Sequence, residues 1–165
     1  MAIHEAAEAG DVAELKRLLA EGAGVDNRDR DARTALMHAA AAGQAAAVDL
    51  LLAHGADTDA RDRYGRTALY SATSLAVANR LIAGGADIHA EIENGETLLH
   101  HVGWGESAFD RDLAELLIAR GSDIHRRTSR GETPLHSAAG AGNVGNRPEQ
   151  DQWIAVRHTS RHHMR

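Results

Sequence analysis

At 165 residues the chain lies within the size of one domain, and its 43% hydrophobic content includes so few aromatics, 3%, that its core has to be built from alanine and leucine. The absence of cysteine excludes a disulfide framework and a thiolate metal site, and a formal charge of −6 argues against the broadly basic surface that nucleic acid or an anionic membrane requires. Met1-Ala2-Ile3-His4-Glu5 lacks the basic start and apolar run of a signal peptide, and no stretch approaches the roughly 18 apolar residues of a membrane span, so a soluble cytoplasmic protein is expected.

Ile3-His4-Glu5-Ala6-Ala7 reads as a helix beginning, and Leu15, Leu18 and Leu19 then follow at the three-four spacing of one helical face. Gly22 closes that second helix, where a left-handed residue is wanted and glycine has no Cβ to resist it. Twelve residues later Thr34-Ala35-Leu36 starts another helix, with the threonine hydroxyl available as its cap. The order then recurs. Val48, Leu51 and Leu52 lead to Gly55 and Thr67-Ala68-Leu69; Leu81 and Ile82 lead to Gly85 and Thr97-Leu98-Leu99. Leu113, Leu117 and Ile118 lead to Gly121 and Thr133-Pro134-Leu135-His136, where Pro134 takes the first helical position, at which a missing N–H costs nothing. The tract from glycine to threonine never changes length, whereas the threonines are 33, 30 and 36 residues apart, so all length variation lies between each threonine and its next glycine.

Thr133-Pro134-Leu135-His136-Ser137-Ala138-Ala139, followed by Gly142-Asn143, resembles the ankyrin repeat, whose signature is T-P-L-H-x-A and whose period is about 33 residues. Gly55-Ala56-Asp57, Gly85-Ala86-Asp87 and Gly121-Ser122-Asp123 resemble the family's G-A-D between second helix and finger. The resemblance covers residues 2 to about 143. It implies an all-α repeat solenoid: an ankyrin stack of helix-turn-helix units with β-finger loops, about 4 full repeats plus a degenerate C-terminal one. The units fall at about 2–33, 34–66, 67–96 and 97–132, with a partial unit at 133–143 and a degenerate or disordered tail at 144–165.

The fingers are tipped by Tyr64-Gly65, Asn94-Gly95 and Arg130-Gly131, and Asn-Gly is a strong hairpin turn pair. The finger before Thr34 carries Ala32 where the others have glycine; alanine at positive φ costs on the order of 1 kcal/mol, so a distorted or different turn is expected there. The third unit lacks three residues, including the glycine between its helices, which predicts a shorter helix pair. The fourth gains three in Trp104-Gly105-Glu106-Ser107-Ala108-Phe109-Asp110, predicting an extended inter-helix loop in which Phe109 either packs back onto the helices or serves as a contact residue. The fifth has no apolar stripe after its first helix, so disorder is expected from about Asn146, with Trp153-Ile154-Ala155-Val156 the possible exception as a patch over the end of the stack.

Signals of catalysis are weak. Gly140-Ala141-Gly142-Asn143-Val144-Gly145 spells G-x-G-x-x-G, but in ankyrin register it follows no strand and opens no dinucleotide-binding helix. His4-Glu5-Ala6-Ala7-Glu8 lacks the second histidine of a zinc helix. His4, His100 and His136 occupy the signature histidine position, where the resemblance implies hydrogen bonds between repeats; His158, His162 and His163 are suited to adventitious metal binding at most. No cofactor, resident metal or enzyme activity is expected.

The resemblance implies a concave face of finger tips and first helices that binds another protein. On the fingers it selects Arg30, Asp31, Arg33, Arg63, Tyr64, Arg66, Glu93, Asn94, Glu96 and Arg130, with His101 and Trp104 on the first helix of the fourth unit. Tyr64, Trp104, Arg63 and Arg66 are the side-chain types that dominate interfaces. Arginine-rich fingers before Thr34 and Thr67 give way to Glu93 and Glu96, which suits an acidic partner at the N-terminal half. A monomer binding a protein, with no nucleic acid or membrane, is the expectation; the alternative is a truncated fragment of a longer array. The alanine-rich, arginine-over-lysine composition is in keeping with a GC-rich bacterial source.

Overall fold

The computed structural model describes residues 2–103 and 107–140, and over them the chain is a two-layered stack of short helices. The inner layer holds the first helix of the first, second, fourth and fifth units: α1 (Ile3–Ala9), α3 (Ala35–Ala41), α6 (Leu98–Gly103) and α8 (Pro134–Gly140). The outer layer holds the second: α2 (Val12–Ala20), α4 (Ala45–Ala53), α5 (Leu75–Ala83) and α7 (Ala108–Ala119). Contacts run from α1 to α3 and from α6 to α8 on the inside, and from α2 through α4 and α5 to α7 on the outside. No helix among the described residues is long and apolar enough to cross a membrane.

The core has the composition expected of it. Leu15, Leu36, Leu51, Leu81 and Leu117 are fully buried, and between them Ala6, Ala7, Ala39, Ala40, Ala47 and Ala78 have no exposed surface. Alanine at those positions lets neighbouring helix backbones approach closely, while each buried leucine contributes roughly 2–3 kcal/mol of transfer free energy. Much of that burial exists only because the next unit is present, which makes an isolated unit marginal.

Local chemistry sets the helix ends. Asp11, Ser74 and Ser107 cap α2, α5 and α7 by accepting from Glu14 N at 2.9 Å, Val77 N at 3.3 Å and Asp110 N at 3.1 Å. Thr34 caps α3 through Met37 N at 3.4 Å. In the units that carry the signature histidine the bonding differs: His100 Nδ1 accepts from Thr97 N at 3.1 Å and pairs with Thr97 Oγ1 at 3.0 Å, and His136 repeats this with Thr133. An accepting Nδ1 places the ring proton on Nε2. That Nε2–H donates from His100 to Glu132 O at 3.3 Å, and His4 Nε2 donates to Asn27 O at 2.7 Å, so these two histidines bind their inner helix to the following finger.

The glycines after the second helices behave as expected. Gly55 has φ 79°, its N–H reaches Leu52 O at 3.0 Å and the next N–H reaches Leu51 O at 3.0 Å, the two bonds of a Schellman close. A Cβ there would meet nothing within 4 Å, so backbone conformation alone selects glycine.

Four expectations need correction or refinement. Ala32 does not distort its turn: it sits at φ 60°, beside φ 77° for Gly65, and Ala32 N donates to Asp29 O at 3.0 Å as Gly65 N does to Asp62 O at 3.0 Å. The turn is held by Asp29, whose carboxylate accepts from Asp31 N at 2.8 Å and Arg33 N at 2.9 Å. The third unit is shortened on one side only. Its Thr67-led segment is a 3-10 turn, Leu69–Ser71, instead of an α-helix, while α5 keeps the nine residues of α2 and α4. The fourth unit places Ser107 to Asp110 in a capping box that lengthens α7 to 12 residues, and Phe109 packs partly buried against the core from its first turn. The fingers are turns more than β-ribbons: the only bridge among the described residues joins Glu91 to Thr97.

At the last described helix, Leu135 is 65% exposed, although it holds the motif position at which Leu36 is fully buried. The expectations of tail disorder, of an apolar patch at Trp153 to Val156, of metal binding by His158, His162 and His163, and the readings of Trp104 and of the glycine run from Gly140 to Gly145, fall wholly or mainly outside the described residues.

Candidate binding surface

Each tract from a closing glycine to the next threonine forms one finger, and neighbouring fingers are bonded side by side. Arg63 N donates to Asp31 O at 3.1 Å and Ser129 N to Asn94 O at 2.9 Å, joining the tips of the first to the second and the third to the fourth. Nearer the roots, Asp26 accepts from Asp57 N at 2.9 Å and Asp59 from Asp87 N at 3.0 Å. Arg28 donates to Ala32 O in its own turn at 3.2 Å and to Arg61 O in the next finger at 2.6 Å. Arg61 repeats the arrangement with Gly65 O and Glu91 O, and Arg127 with Gly131 O. These arginines were not selected from the sequence, although a signal existed, since each stands at the same distance after its closing glycine. Charge-assisted donors of this kind set the spacing of the fingers and hold the tips as one row.

On that row the structure brings Arg63, Tyr64, Glu93 and Asn94 together with Ile92 around a cleft of about 300 Å³ between the second and third fingers. Tyr64 is 58% exposed, the most exposed aromatic among the described residues. The Arg66 guanidinium lies 4.7 Å from the centre of its ring, within range of a cation–π contact. The same guanidinium bonds Asp62 through Nε at 2.9 Å and a terminal nitrogen at 2.8 Å. The Asp62 side chain is 2% exposed, and burial works against its ionisation; the Arg66 N–H and guanidinium and the Tyr64 N–H outweigh that and hold its carboxyl below the usual range.

The arginines selected from the sequence are thus largely engaged within the protein. Arg63 pairs with Asp31 at 2.6 Å and donates to Arg30 O at 2.9 Å. Arg33 points back to Met37 O at 3.4 Å and does not join the cleft. Among the described residues Arg30, Arg130 and Glu93 make no side-chain hydrogen bond or ion pair. Asn94 and Glu96 bond each other, Nδ2 to Oε1 at 2.8 Å, and among the described residues Glu96 has no cationic partner.

Below the third finger, the His101 ring lies 4.8 Å from that of Tyr70 at a tilt of 39°. Tyr70, half-buried in the shortened turn, was not selected from the sequence. Burial, reinforced by the Glu96 charge and opposed by Arg66, pushes its phenol up to about 12, so it stays a neutral donor. At the N-terminal end His38 Nε2 meets Asp29 at 2.8 Å, with Glu8 at 3.7 Å from Nδ1 and the His4 ring 5.5 Å away. Burial raises Asp29, but the His38 bond and the N–H groups of Arg33 and Asp31 prevail and bring its carboxyl down to about 2. Among the described residues no group of three histidines and carboxylates is placed to hold a metal ion.

A family model described as ankyrin repeats (3 copies) matches residues 3–92, and a second, described as ankyrin repeats (many copies), matches residues 107–145. No curated protein matches the chain. Repeats of this kind generally serve as protein–protein interaction modules and are typically non-catalytic.

Proposed function

The chain belongs to the ankyrin repeat family, and from that premise we propose that it is a non-catalytic recognition module, residues 2–143, that binds another protein through its finger tips and the exposed positions of its inner helices. The observation that carries this is the row of fingers bonded into one unit with Tyr64 standing 58% exposed upon it. A large aromatic held on a preorganised surface is a low-entropy anchor. The proposal places the protein in the cytoplasm as a monomer, without cofactor, nucleic acid or membrane. Its contact residues are Arg30, Asp31, Arg33, Arg63, Tyr64, Arg66, Glu93, Asn94, Glu96, His101, Trp104 and Arg130. Affinity capture from the native host lysate with mass-spectrometric identification tests it, run beside a Tyr64→Ala/Trp104→Ala variant with unchanged helical circular dichroism. A protein captured by the parent and lost by the folded variant supports the reading; one captured equally by both removes the finger row as the site.

A second reading, a segment of a longer array, is favoured by Leu135, 65% exposed at a position that a further helix layer would cover. Nucleotide sequence downstream that continues the repeat in another reading frame would support it, and absence of any such repeat would remove it.

A further inference from the structure

We propose that the cleft between the second and third fingers takes a cationic side chain, arginine or lysine, from an extended segment of the partner protein, an inference that rests on the recognition reading above. The argument is one of unmet charge. Arg63, which lines the cleft, is neutralised by Asp31 at 2.6 Å, and Arg66, which covers one face of Tyr64, is neutralised by the buried Asp62. Glu93, the carboxylate that lines the cleft, has no such partner among the described residues. Among the charged side chains that line the cleft, Glu93 is therefore the one left without a counter-ion, although the two fingers carry three arginines and three glutamates.

Shape and aromatic character agree with that charge. The cleft, about 300 Å³, is lined in part by the exposed Tyr64 and by Ile92, side chains along which the methylene stem of a long cationic side chain can pack while its head stays polar. Arg66 approaches Tyr64 at 4.7 Å, which shows the ring disposed to hold a guanidinium. An anionic ligand would enter against Glu93 and would have to displace Asp31 or Asp62 from arginines they already hold. Arg30, Arg33 and Arg130, cations of the row without an ion pair among the described residues, do not line the cleft.

Selection of phage-displayed random 12-residue peptides against the parent tests this, with enriched peptides synthesised and titrated against the parent, Tyr64→Ala and Glu93→Gln/Glu96→Gln. Glu93 has no intramolecular ion pair to lose and glutamine at 96 still accepts from Asn94, so the double variant is expected to fold normally, as circular dichroism would verify. The expected result is enrichment of arginine or lysine, binding that weakens with salt, and an affinity about tenfold lower in the double glutamine variant, the order expected for losing a charged hydrogen-bonding partner. Peptides that depend on Tyr64 but carry no cationic residue, or that bind the double variant as tightly as the parent, overturn the inference and leave the recognition reading standing. Failure of any peptide to enrich, or enrichment indifferent to Tyr64→Ala, counts against both.

Discussion

Replacing Ala32 by glycine is expected to stabilise the protein. Ala32 sits at φ 60°, a conformation that costs an L-residue about 1–2 kcal/mol because Cβ crowds the following carbonyl. The turn keeps it there through Ala32 N to Asp29 O at 3.0 Å, the two amides held by the Asp29 carboxylate and the Arg28 donor on Ala32 O at 3.2 Å. Glycine relieves the strain but loosens the unfolded chain by about 0.4–1 kcal/mol, leaving a net gain on the order of 0.5–1 kcal/mol. With a urea dependence of about 2 kcal/mol per molar, the midpoint followed by helical circular dichroism should rise by roughly 0.25–0.5 M at unchanged slope. Gly131→Ala supplies the mirror experiment. Gly131 holds φ 80° in the equivalent turn and a Cβ there meets nothing within 4 Å, so an equal loss reports backbone strain free of any clash. A midpoint that falls or stays put for Ala32→Gly while Gly131→Ala costs the expected amount would refute the strain argument for this finger.

Two further substitutions probe the same finger layer. Asp29, brought down to about 2, contributes stability that is complete above the ordinary carboxylate range and is lost as pH falls from about 4 towards 2; Asp29→Asn should flatten that acid limb by on the order of 1 kcal/mol, read from urea midpoints across the range. Identical acid limbs in parent and variant would show that the carboxylate does not carry the turn. Ser122 places a buried hydroxyl without a hydrogen-bond partner among the described residues where the second and third fingers have Ala56 and Ala86, so Ser122→Ala should raise stability by about 1 kcal/mol in the same assay, and a loss would reveal a partner for that hydroxyl.

What the sequence made legible was whatever the backbone imposes locally. Gly22, Gly55, Gly85 and Gly121 all take the left-handed close, with φ 90°, 79°, 100° and 94°, because nothing but glycine takes it cheaply. The unequal units were harder, because deletion and insertion are resolved by packing. Val77, Ala78 and Leu81 of α5 are buried in the outer layer, and giving up that burial would cost more than shrinking the inner helix to a turn. In the fourth unit a local signal was present and passed over. Ser107 and Asp110 stand three apart, the spacing of a capping box, so the inserted residues could have been read as a helix start in place of a loop.

The binding row shows the converse limit. Arg66 and Asp62 lie four apart and can be paired on paper, but the partner of Arg63 is Asp31 in the preceding finger, a pairing set by how far the stack rises per unit. Reading the arginines alone along the chain makes the second finger look basic and suited to an acidic partner, although Asp57, Asp59 and Asp62 match Arg61, Arg63 and Arg66 in number. Once the fingers are laid side by side, Arg63 and Arg66 of the second are met by Asp31 and Asp62, and Glu91 of the third by Arg126. Glu93 at the cleft is left without a counter-ion among the described residues, which is what favours the cationic partner segment proposed above. In a repeat stack the electrostatics of the face belong to pairs of adjacent units, so the sign of a surface has to be read across the interface between repeats and not along any one of them.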